Sequence, residues 1–231
     1  MSTAPVLTID GPSGSGKGTI SRRVASRLGW HLLDSGALYR LVALAGARAG
    51  LDPADEPGHA ALAGRMRVRF GEDARGEEQI WLGDPAAEVT SAIRTEEAGQ
   101  GASRVAVWPS VRAALLQRQQ DFARPPGLVA DGRDMGTVVF PQAPVKIFLT
   151  ASAEERARRR HKQLNDKGSG ASLAALSLEI AERDRRDSTR AVAPLKPAAD
   201  AVILDSTGLS IEAVVEQVMA ELAARGFSPA R

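Results

Sequence analysis

The stretch GPSGSGKGT occupies residues Gly11–Thr19 and fits the pattern G-x-x-x-x-G-K of a P-loop. The apolar run PVLTI (Pro5–Ile9) precedes it, and TISRRVASRL (Thr19–Leu28) follows with apolar residues at i, i+4 and i+8. A strand that enters such a loop and a helix that leaves it form a phosphate cradle. The glycines let backbone N–H groups point inward, and the helix N-terminus adds partial positive charge. The stretch therefore predicts a phosphate-binding α/β protein.

Glycine follows the lysine of this loop, where a metal-holding Ser or Thr is expected. Gly18 cannot hold Mg²⁺, and Thr19 lies one residue too late to be the standard ligand. The sequence GKGT resembles small-molecule kinases of the nucleoside-monophosphate kinase type. In that group, phosphates and water supply most of the ligands of the magnesium ion, which gives up its waters reluctantly. Asp131 ends the apolar run LVA and is our candidate for a contact to Mg²⁺ through water; the alternative is a turn or cap aspartate.

Strand and helix patterns alternate along most of the chain. Short apolar runs predict further strands at 30–36, 128–132, 146–150 and 201–207, and amphipathic patterns predict helices at 37–50, 110–123, 153–164, 173–185 and 210–225. This order predicts an α/β fold of the P-loop NTPase type, with a parallel sheet covered by helices on both faces. A small β-hairpin-containing insertion and a helical lid complete the prediction.

The alternation of strand and helix patterns stops after residue 64. RMRVRF (65–70) and QIWLG (79–83) alternate apolar with polar residues on either side of GEDARGEE, which predicts a hairpin. We therefore predict a kinase core at 1–63 and 102–231, with a lid at about 152–188. The inserted domain is predicted at 64–101.

The composition bounds the class of protein. The 231 residues are 43% hydrophobic and 25% charged, which is ordinary for a globular protein. No apolar run approaches the roughly 18–20 residues that span a bilayer. The N-terminal segment lacks the features of a secretory signal, and the absence of cysteine excludes disulfides and thiolate metal sites. We expect a cytoplasmic protein without a membrane partner.

Arginine dominates the basic residues, with 25 arginines against five lysines and a formal net charge of only +2. A GC-rich genome explains this total as well as function does, so only position is informative. A general nucleic-acid binder usually shows a clustered basic face with interleaved aromatic residues. Aromatic residues are 4% here, which argues against a nucleic-acid partner.

Arginines occur in segments that follow or end predicted strands. Arg40, Arg133 and Arg190 belong to three such segments, and ligands of open α/β sheets bind at the carboxyl ends of the strands. Guanidinium groups bind phosphates and stabilise the negative charge of a transferring phosphoryl group. Each alone is more often a surface arginine, but together they predict a phosphate clamp.

Several stretches together resemble the bacterial cytidylate kinase family over nearly the whole chain: DGPSGSGKGT, WHLLDSGALYR, IRTEE, ADGRDMGTVVFPQAPVKIFL, RDRRDSTRAVAPL and AVILDST. The resemblance implies phosphorylation of CMP and dCMP by ATP with Mg²⁺, in pyrimidine nucleotide metabolism. It also implies a monomer, and it places the insertion beside the monophosphate site.

The resemblance also implies residue roles. The ATP phosphates would be bound by Gly11, Pro12, Ser13, Gly14, Ser15, Gly16, Lys17, Gly18 and Thr19. The CMP phosphate and the transferring group would be held by Arg40, Arg133 and Arg190, which with Lys17 form the catalytic set. The cytosine edge would be read by Ser103, Arg112 and Asp134, with Ser35 and Tyr39 nearby. The ribose would meet Arg183 and Asp187. The lid over ATP would contain Arg156, Arg159 and Arg160.

The chemistry of cytosine agrees with two of these roles. Cytosine differs from uracil by an amino donor at C4 and an unprotonated N3 acceptor. A carboxylate such as Asp134 can accept from the amino group, and a guanidinium such as Arg112 can donate to N3 or O2. Without the resemblance, Arg112 and Ser103 read as polar residues on a helix surface.

The basic helix AERARRRHKQL has a competing interpretation as a solvated face or a nucleic-acid patch. Arg156, Arg159 and Arg160 stand at i, i+3 and i+4 and can share one face, whereas Arg158 points elsewhere. The following NDKGSGAS (165–172) predicts a flexible segment suited to a lid.

Two other functions stay open at this point. One is a P-loop kinase for another small acceptor; an alcohol would need a base, and Asp34 could serve. The other is a non-catalytic nucleotide sensor or RNA-binding module that uses the arginines.

Overall fold

The computed structural model describes residues 4–72, 78–166 and 172–228. The chain forms two compact units: a first unit of Met1–Asp34 and Gln119–Arg231, and a second unit of Ser35–Arg118. The inserted domain at 64–101 and the lid at about 152–188 stay predictions. None of the helices in the described ranges combines the length and apolar composition needed to cross a membrane.

The elements follow in chain order. They are β1 (Val6–Asp10), α1 (Lys17–Leu28), β2 (His31–Asp34), α2 (Ser35–Arg48), α3 (Glu56–Arg65), β3 (Val68–Glu72), β4 (Glu78–Leu82), β5 (Ala87–Glu88), α4 (Thr90–Ile93), α5 (Glu96–Val105), α6 (Pro109–Gln120), β6 (Leu128–Gly132), a π-helical turn (Met135–Val139), β7 (Val145–Thr150), α7 (Ala153–Asn165), α8 (Leu173–Thr189), β8 (Val202–Asp205) and α9 (Ile211–Ala224).

The first unit is built on a parallel sheet with the strand order β2-β6-β1-β7-β8. The central strand β1 is buried along its whole length, and its last residue, Asp10, pairs with Gly132 of β6. Apolar residues of α1 and α9 pack on the strands. The predicted parallel sheet is thus confirmed. Its strands have continuous apolar sequences because parallel strands are covered on both faces.

The second unit contains the antiparallel sheet β3-β4-β5. Val68 pairs with Leu82 and Phe70 with Ile80, which confirms the predicted hairpin; its connecting residues 73–77 lie outside the described ranges. On this hairpin the guanidinium carbon of Arg69 lies 3.6 Å from the centre of the Trp81 ring.

Three helices of the described residues, α3, α4 and α5, and the π-helical turn were not predicted. In α3 the sequence EPGHAALAGR holds two glycines and a proline, so its helical propensity is low. The helix begins instead at a cap, because Asp55 accepts a hydrogen bond from the N–H of Gly58. Thr95 caps α5 in the same way.

Candidate active site

The P-loop joins β1 to α1 at the carboxyl end of the central strand. Gly14 and Gly16 have φ angles of 78° and 94°, in the left-handed region that favours glycine. Gly16 is also the N-cap residue, immediately before the first residue of α1, Lys17. The first N–H groups of the helix have no partners within it, so the loop and the helix together offer donors to an anion. The predicted phosphate cradle therefore has the backbone it requires.

Lys17 lies buried at the start of α1, and its Nζ donates a 2.9 Å hydrogen bond to the carbonyl oxygen of Pro12. Burial lowers the pKa of Lys17, and the charge of Arg133 lowers it further, against the opposing charges of Asp131 and Asp10. The ammonium group is therefore held at an energetic cost in a cluster that contains further cations. A bound phosphate would supply the missing negative charge.

Asp131 lies on β6 beside the residue that replaces the usual Ser or Thr. A Cβ atom built on Gly18 would be 3.5 Å from Oδ2 of Asp131. Burial raises the pKa of Asp131, while the charge of Lys17 opposes the rise. Among the described residues no group of three or more His, Cys, Asp or Glu side chains could hold a metal. Asp131 therefore offers a carboxylate oxygen beside Gly18, where the loop lacks the hydroxyl of a Ser or Thr.

Asp10 is a buried carboxylate that sequence reasoning missed. Its oxygens accept hydrogen bonds from the N–H groups of Met135 (2.9 Å) and Gly136 (2.8 Å). Burial raises the pKa of Asp10 to about 7, against the effect of these two hydrogen bonds. Asp10 thus fixes the first turn after Asp134, although it belongs to the strand that leads into the P-loop.

The structure brings together the predicted monophosphate residues of the first unit. Nε of Arg133 donates to Oδ2 of Asp187 across 3.0 Å, and both side chains are at least 80% buried. Burial raises the pKa of Asp187, but the charges of Arg133, Arg183 and Arg190 outweigh this and hold it below its usual range. Helix α8 extends to Thr189, beyond its predicted end at 185, and so carries Arg183 and Asp187 one turn apart.

Asp134 and Arg190 also meet inside the first unit. Nη2 of Arg190 lies 3.8 Å from Oδ1 of Asp134, and both side chains are almost completely buried. This places the carboxylate that is predicted to read cytosine next to a predicted phosphate ligand. The pair is a cluster of opposite charges at the end of β6.

The second unit holds the other predicted CMP residues. The Cζ atom of Arg112 lies 5.8 Å from the ring centre of Tyr39. Ser103 is buried, and its hydroxyl has no hydrogen-bond partner among the described residues. Nη1 of Arg40 donates to the carbonyl oxygens of Ile93 (2.7 Å) and Thr95 (3.1 Å), so backbone contacts fix its guanidinium group. Ser35 is buried at the start of α2.

Two arginines of the predicted lid contact the P-loop backbone. Nη1 of Arg156 donates to the carbonyl oxygen of Ser13 across 3.0 Å, and Nη1 of Arg159 donates to that of Ser15 across 3.3 Å. Residues 167–171, which include most of the predicted flexible segment, lie outside the described ranges. The partners of these arginines, chiefly Asp184 and Ser206, were not identified from the sequence.

This parallel sheet, the glycine loop at the end of its central strand and the buried lysine define a P-loop nucleotide-binding protein. The family model described as cytidylate kinase matches residues 7–224. The chain belongs to the cytidylate kinase family.

Similar proteins support this assignment at high identity. A cytidylate kinase of Pseudomonas fluorescens SBW25 is 61% identical over 227 residues, which cover 97% of this chain and 98% of the relative. One from Azotobacter vinelandii DJ is 59% identical over 231 residues, with 99% and 100% covered. An uncharacterized protein of Eubacterium ventriosum superposes with a TM-score of 0.50 at 8% identity, covering 96% of this chain and 99% of its own, and shows the fold alone.

Proposed function

We propose that the chain transfers the γ-phosphoryl group of ATP to CMP and dCMP and releases ADP with CDP or dCDP, a step of pyrimidine nucleotide metabolism. The observation that carries this conclusion is the complete P-loop with its buried Lys17, in a chain of the cytidylate kinase family. A phosphate oxygen of CMP attacks the γ-phosphorus, and the bond from that phosphorus to the bridging oxygen of ADP breaks.

The acceptor oxygen is already anionic, so this reaction needs no strong base. Catalysis is then positioning together with stabilisation of the charge on the transferring group. An alcohol acceptor would need a base, for which Asp34 is the candidate. The match to the cytidylate kinase family favours CMP over such an acceptor.

Lys17 and the P-loop amides supply the donors for the ATP phosphates in this proposal. The remaining roles predicted from the resemblance stand as proposals for each unit separately. In the first unit, Arg133 and Arg190 hold phosphate charge, Asp134 reads the cytosine amino group, and Arg183 and Asp187 meet the ribose. In the second unit, Arg40 holds phosphate charge, and the residues that contact or surround the base are Ser35, Tyr39, Ser103 and Arg112.

Several features of the first unit support these roles. The carboxylates Asp134 and Asp187 keep the arginines in place before any ligand binds, so less ordering is required on binding. Mg²⁺ would lie near Asp131 and would neutralise charge on the β- and γ-phosphates of ATP. Asp131 would orient the water on this ion, since no protein hydroxyl is present at Gly18.

The test is ADP release from ATP and Mg²⁺ with CMP, dCMP, UMP, AMP or no acceptor. Strong turnover with CMP and dCMP alone is expected. Comparable turnover with UMP would keep the kinase but remove the base-reading roles of Asp134 and Arg112. Activity with none of the acceptors would leave only the P-loop assignment and favour a nucleotide sensor.

The proposal includes a monomeric protein in the cytoplasm that acts on free nucleotides, without a nucleic-acid or membrane partner. Sedimentation equilibrium with and without nucleotides tests the oligomeric state. A steep salt dependence of tight RNA binding would contradict the partner assignment.

A further inference from the structure

Helix α7 packs directly against the P-loop. A Cβ atom built on Gly14 would lie 3.1 Å from Cβ of Arg156. From this helix, Arg156 donates to the carbonyl oxygen of Ser13, and Arg159 donates to that of Ser15, two residues further along the loop. Two carbonyl groups of the loop therefore point toward the helix.

The geometry of the peptide bond links these carbonyls to the phosphate donors. The peptides that follow Ser13 and Ser15 are trans, so each C=O group points opposite to the N–H group of the same peptide. An arginine that holds the carbonyl of Ser13 therefore directs the N–H of Gly14 away from α7, and Arg159 does the same for Gly16. A cation at the carbonyl also polarises the peptide and makes its N–H a stronger donor.

The guanidinium groups are themselves fixed by further partners. Asp184 of α8 binds Arg156 through both carboxylate oxygens, at 3.0 Å from Nη1 and 2.5 Å from Nη2. Nε of Arg156 donates to the carbonyl oxygen of Ala151 at 3.1 Å, and the side chain is 6% exposed.

Arg159 is held in a similar way. Its Nε donates to Glu155 at 2.9 Å, and its two terminal nitrogens donate to the hydroxyl (3.0 Å) and the carbonyl oxygen (2.6 Å) of Ser206. Each arginine thus makes four hydrogen bonds to protein oxygens, which set the position of its guanidinium group.

We propose that Arg156 and Arg159 are positioning residues for ATP, which act through the P-loop peptides, and that Asp184 holds Arg156 in place for this purpose. The inference deepens the proposed function and rests on it. It differs from the predicted direct contact between lid arginines and ATP. Because α8 also carries Asp187, the Arg156–Asp184 pair connects the ATP loop to the helix of the proposed ribose ligands.

Substitution of Asp184 separates the two modes of action. If Arg156 bound the ATP phosphates directly, Asp184→Asn would release it from a competing carboxylate, and ATP would bind as well as before or more tightly. If Arg156 acts through the carbonyl of Ser13, the same change loosens it and weakens ATP binding. The loss of a charged hydrogen-bond pair predicts about a tenfold rise in the Kd of ATP.

The experiment measures the Kd of ATP by calorimetry without CMP, and KM and kcat with CMP. The variants are Asp184→Asn, Arg156→Ala, Arg156→Lys and the double variant Arg156→Ala with Asp184→Asn. We expect the double variant to bind ATP no more weakly than Arg156→Ala alone, because both changes remove one interaction. Arg156→Lys should recover little of the ATP affinity that Arg156→Ala loses, since an ammonium group cannot bind the carboxylate of Asp184 through two parallel hydrogen bonds. Glu182→Gln is the control, because Glu182 is an exposed acidic residue of the same helix whose ion pair is with Arg186 and not with Arg156.

An unchanged or lower Kd of ATP in Asp184→Asn would overturn the proposal. So would a fall in thermal stability without a change in Kd, KM or kcat, which would mean a purely structural contact. Failure of the proposed function has a different signature: the unsubstituted protein would bind ATP but fail to phosphorylate CMP.

Discussion

Oδ2 of Asp187 accepts a 3.0 Å hydrogen bond from Nε of Arg133, which lies 54 positions earlier in the chain. The charges of Arg133, Arg183 and Arg190 hold the pKa of Asp187 below the usual range despite its burial. A carboxylate whose pKa is lowered in the folded state stabilises the fold above its unfolded pKa. This stabilisation is lost as the pH falls through the folded pKa.

Asp187→Asn should therefore destabilise the protein by about 3 kcal/mol at pH 7, because it leaves Arg133 buried beside a neutral group. The difference from the unsubstituted protein should shrink as the pH falls from 5 to 3. Urea unfolding across this range measures it. A difference that stays constant with pH would mean that the charge of Asp187 is not what stabilises the cluster.

Binding of ATP should take up protons at pH 8. Burial lowers the pKa of Lys17, so part of the population carries a neutral amine before nucleotide binds, and the phosphates restore the charged form. Calorimetry in buffers with different ionisation enthalpies gives the number of protons taken up. The affinity for ATP should fall as the pH rises from 7 to 9, and Lys17→Met should abolish both effects. Proton release on binding would contradict the assignment.

Lys17→Met should lower kcat by at least about 100-fold, because it removes a charge that stabilises the transferring phosphoryl group. Its free energy of unfolding at pH 7 should not fall, since the change removes a buried charge that the empty loop holds at a cost. Steady-state turnover assays measure kcat, and urea unfolding measures the free energy of unfolding. A variant that keeps its kcat would exclude Lys17 from catalysis.

Asp134→Ala should narrow the preference for CMP over UMP. A buried carboxylate that accepts from the cytosine amino group faces the acceptor O4 when uracil binds, and this repulsion disappears in the variant. We expect the ratio of kcat/KM values for CMP and UMP to fall by at least about tenfold. Asp134 also lies near Arg190, so both substrates should lose some kcat/KM, and only the ratio reports base reading. An unchanged ratio would assign Asp134 to holding Arg190 alone.

Gly136→Ala should disturb the segment that carries Arg133 and Asp134. The added Cβ would lie 2.9 Å from Oγ1 of Thr8 and 3.4 Å from Oδ2 of Asp10, in the place where Asp10 accepts from the N–H of Gly136. Such overpacking costs about 1–3 kcal/mol of stability. Because the disturbed segment carries Arg133 and Asp134, kcat should fall as well. Addition of Thr8→Ala removes the closest contact and should recover part of the lost stability and of the lost kcat. Equal stability of the single and double variants would mean that Thr8 is not the obstacle.

Much of the first unit follows from local sequence patterns. The buried strands have continuous apolar sequences, and β1 leads into a glycine loop whose spacing predicts both the cradle and the start of α1. The hairpin of β3 and β4 was predicted from two alternating runs on either side of GEDARGEE. In each case the pattern lies within one continuous stretch of the chain, so contacts between distant segments were not needed to interpret it.

The missed features depend on contacts between distant segments. Asp10 fixes the π-helical turn through N–H groups about 125 positions away, and nothing local distinguishes it from an aspartate in a turn. The spacing of Arg156 and Arg159 predicted a shared helix face but not what that face contacts. A guanidinium group binds a phosphate and a backbone carbonyl with the same donors, so only the fold reveals the contacts to Ser13 and Ser15.

The strand order also has a consequence for synthesis of the chain on the ribosome. In the described part of the chain, the sheet partners of β1 and β2 all belong to Leu128 or later residues. The second unit is continuous in sequence and ends at Arg118, so it is translated in full before either strand can pair. The nucleotide loop is thus among the first segments made and among the last to be organised. A nascent chain that stops before Leu128 carries the entire P-loop motif but neither of the described strands, β6 and β7, that pair with β1.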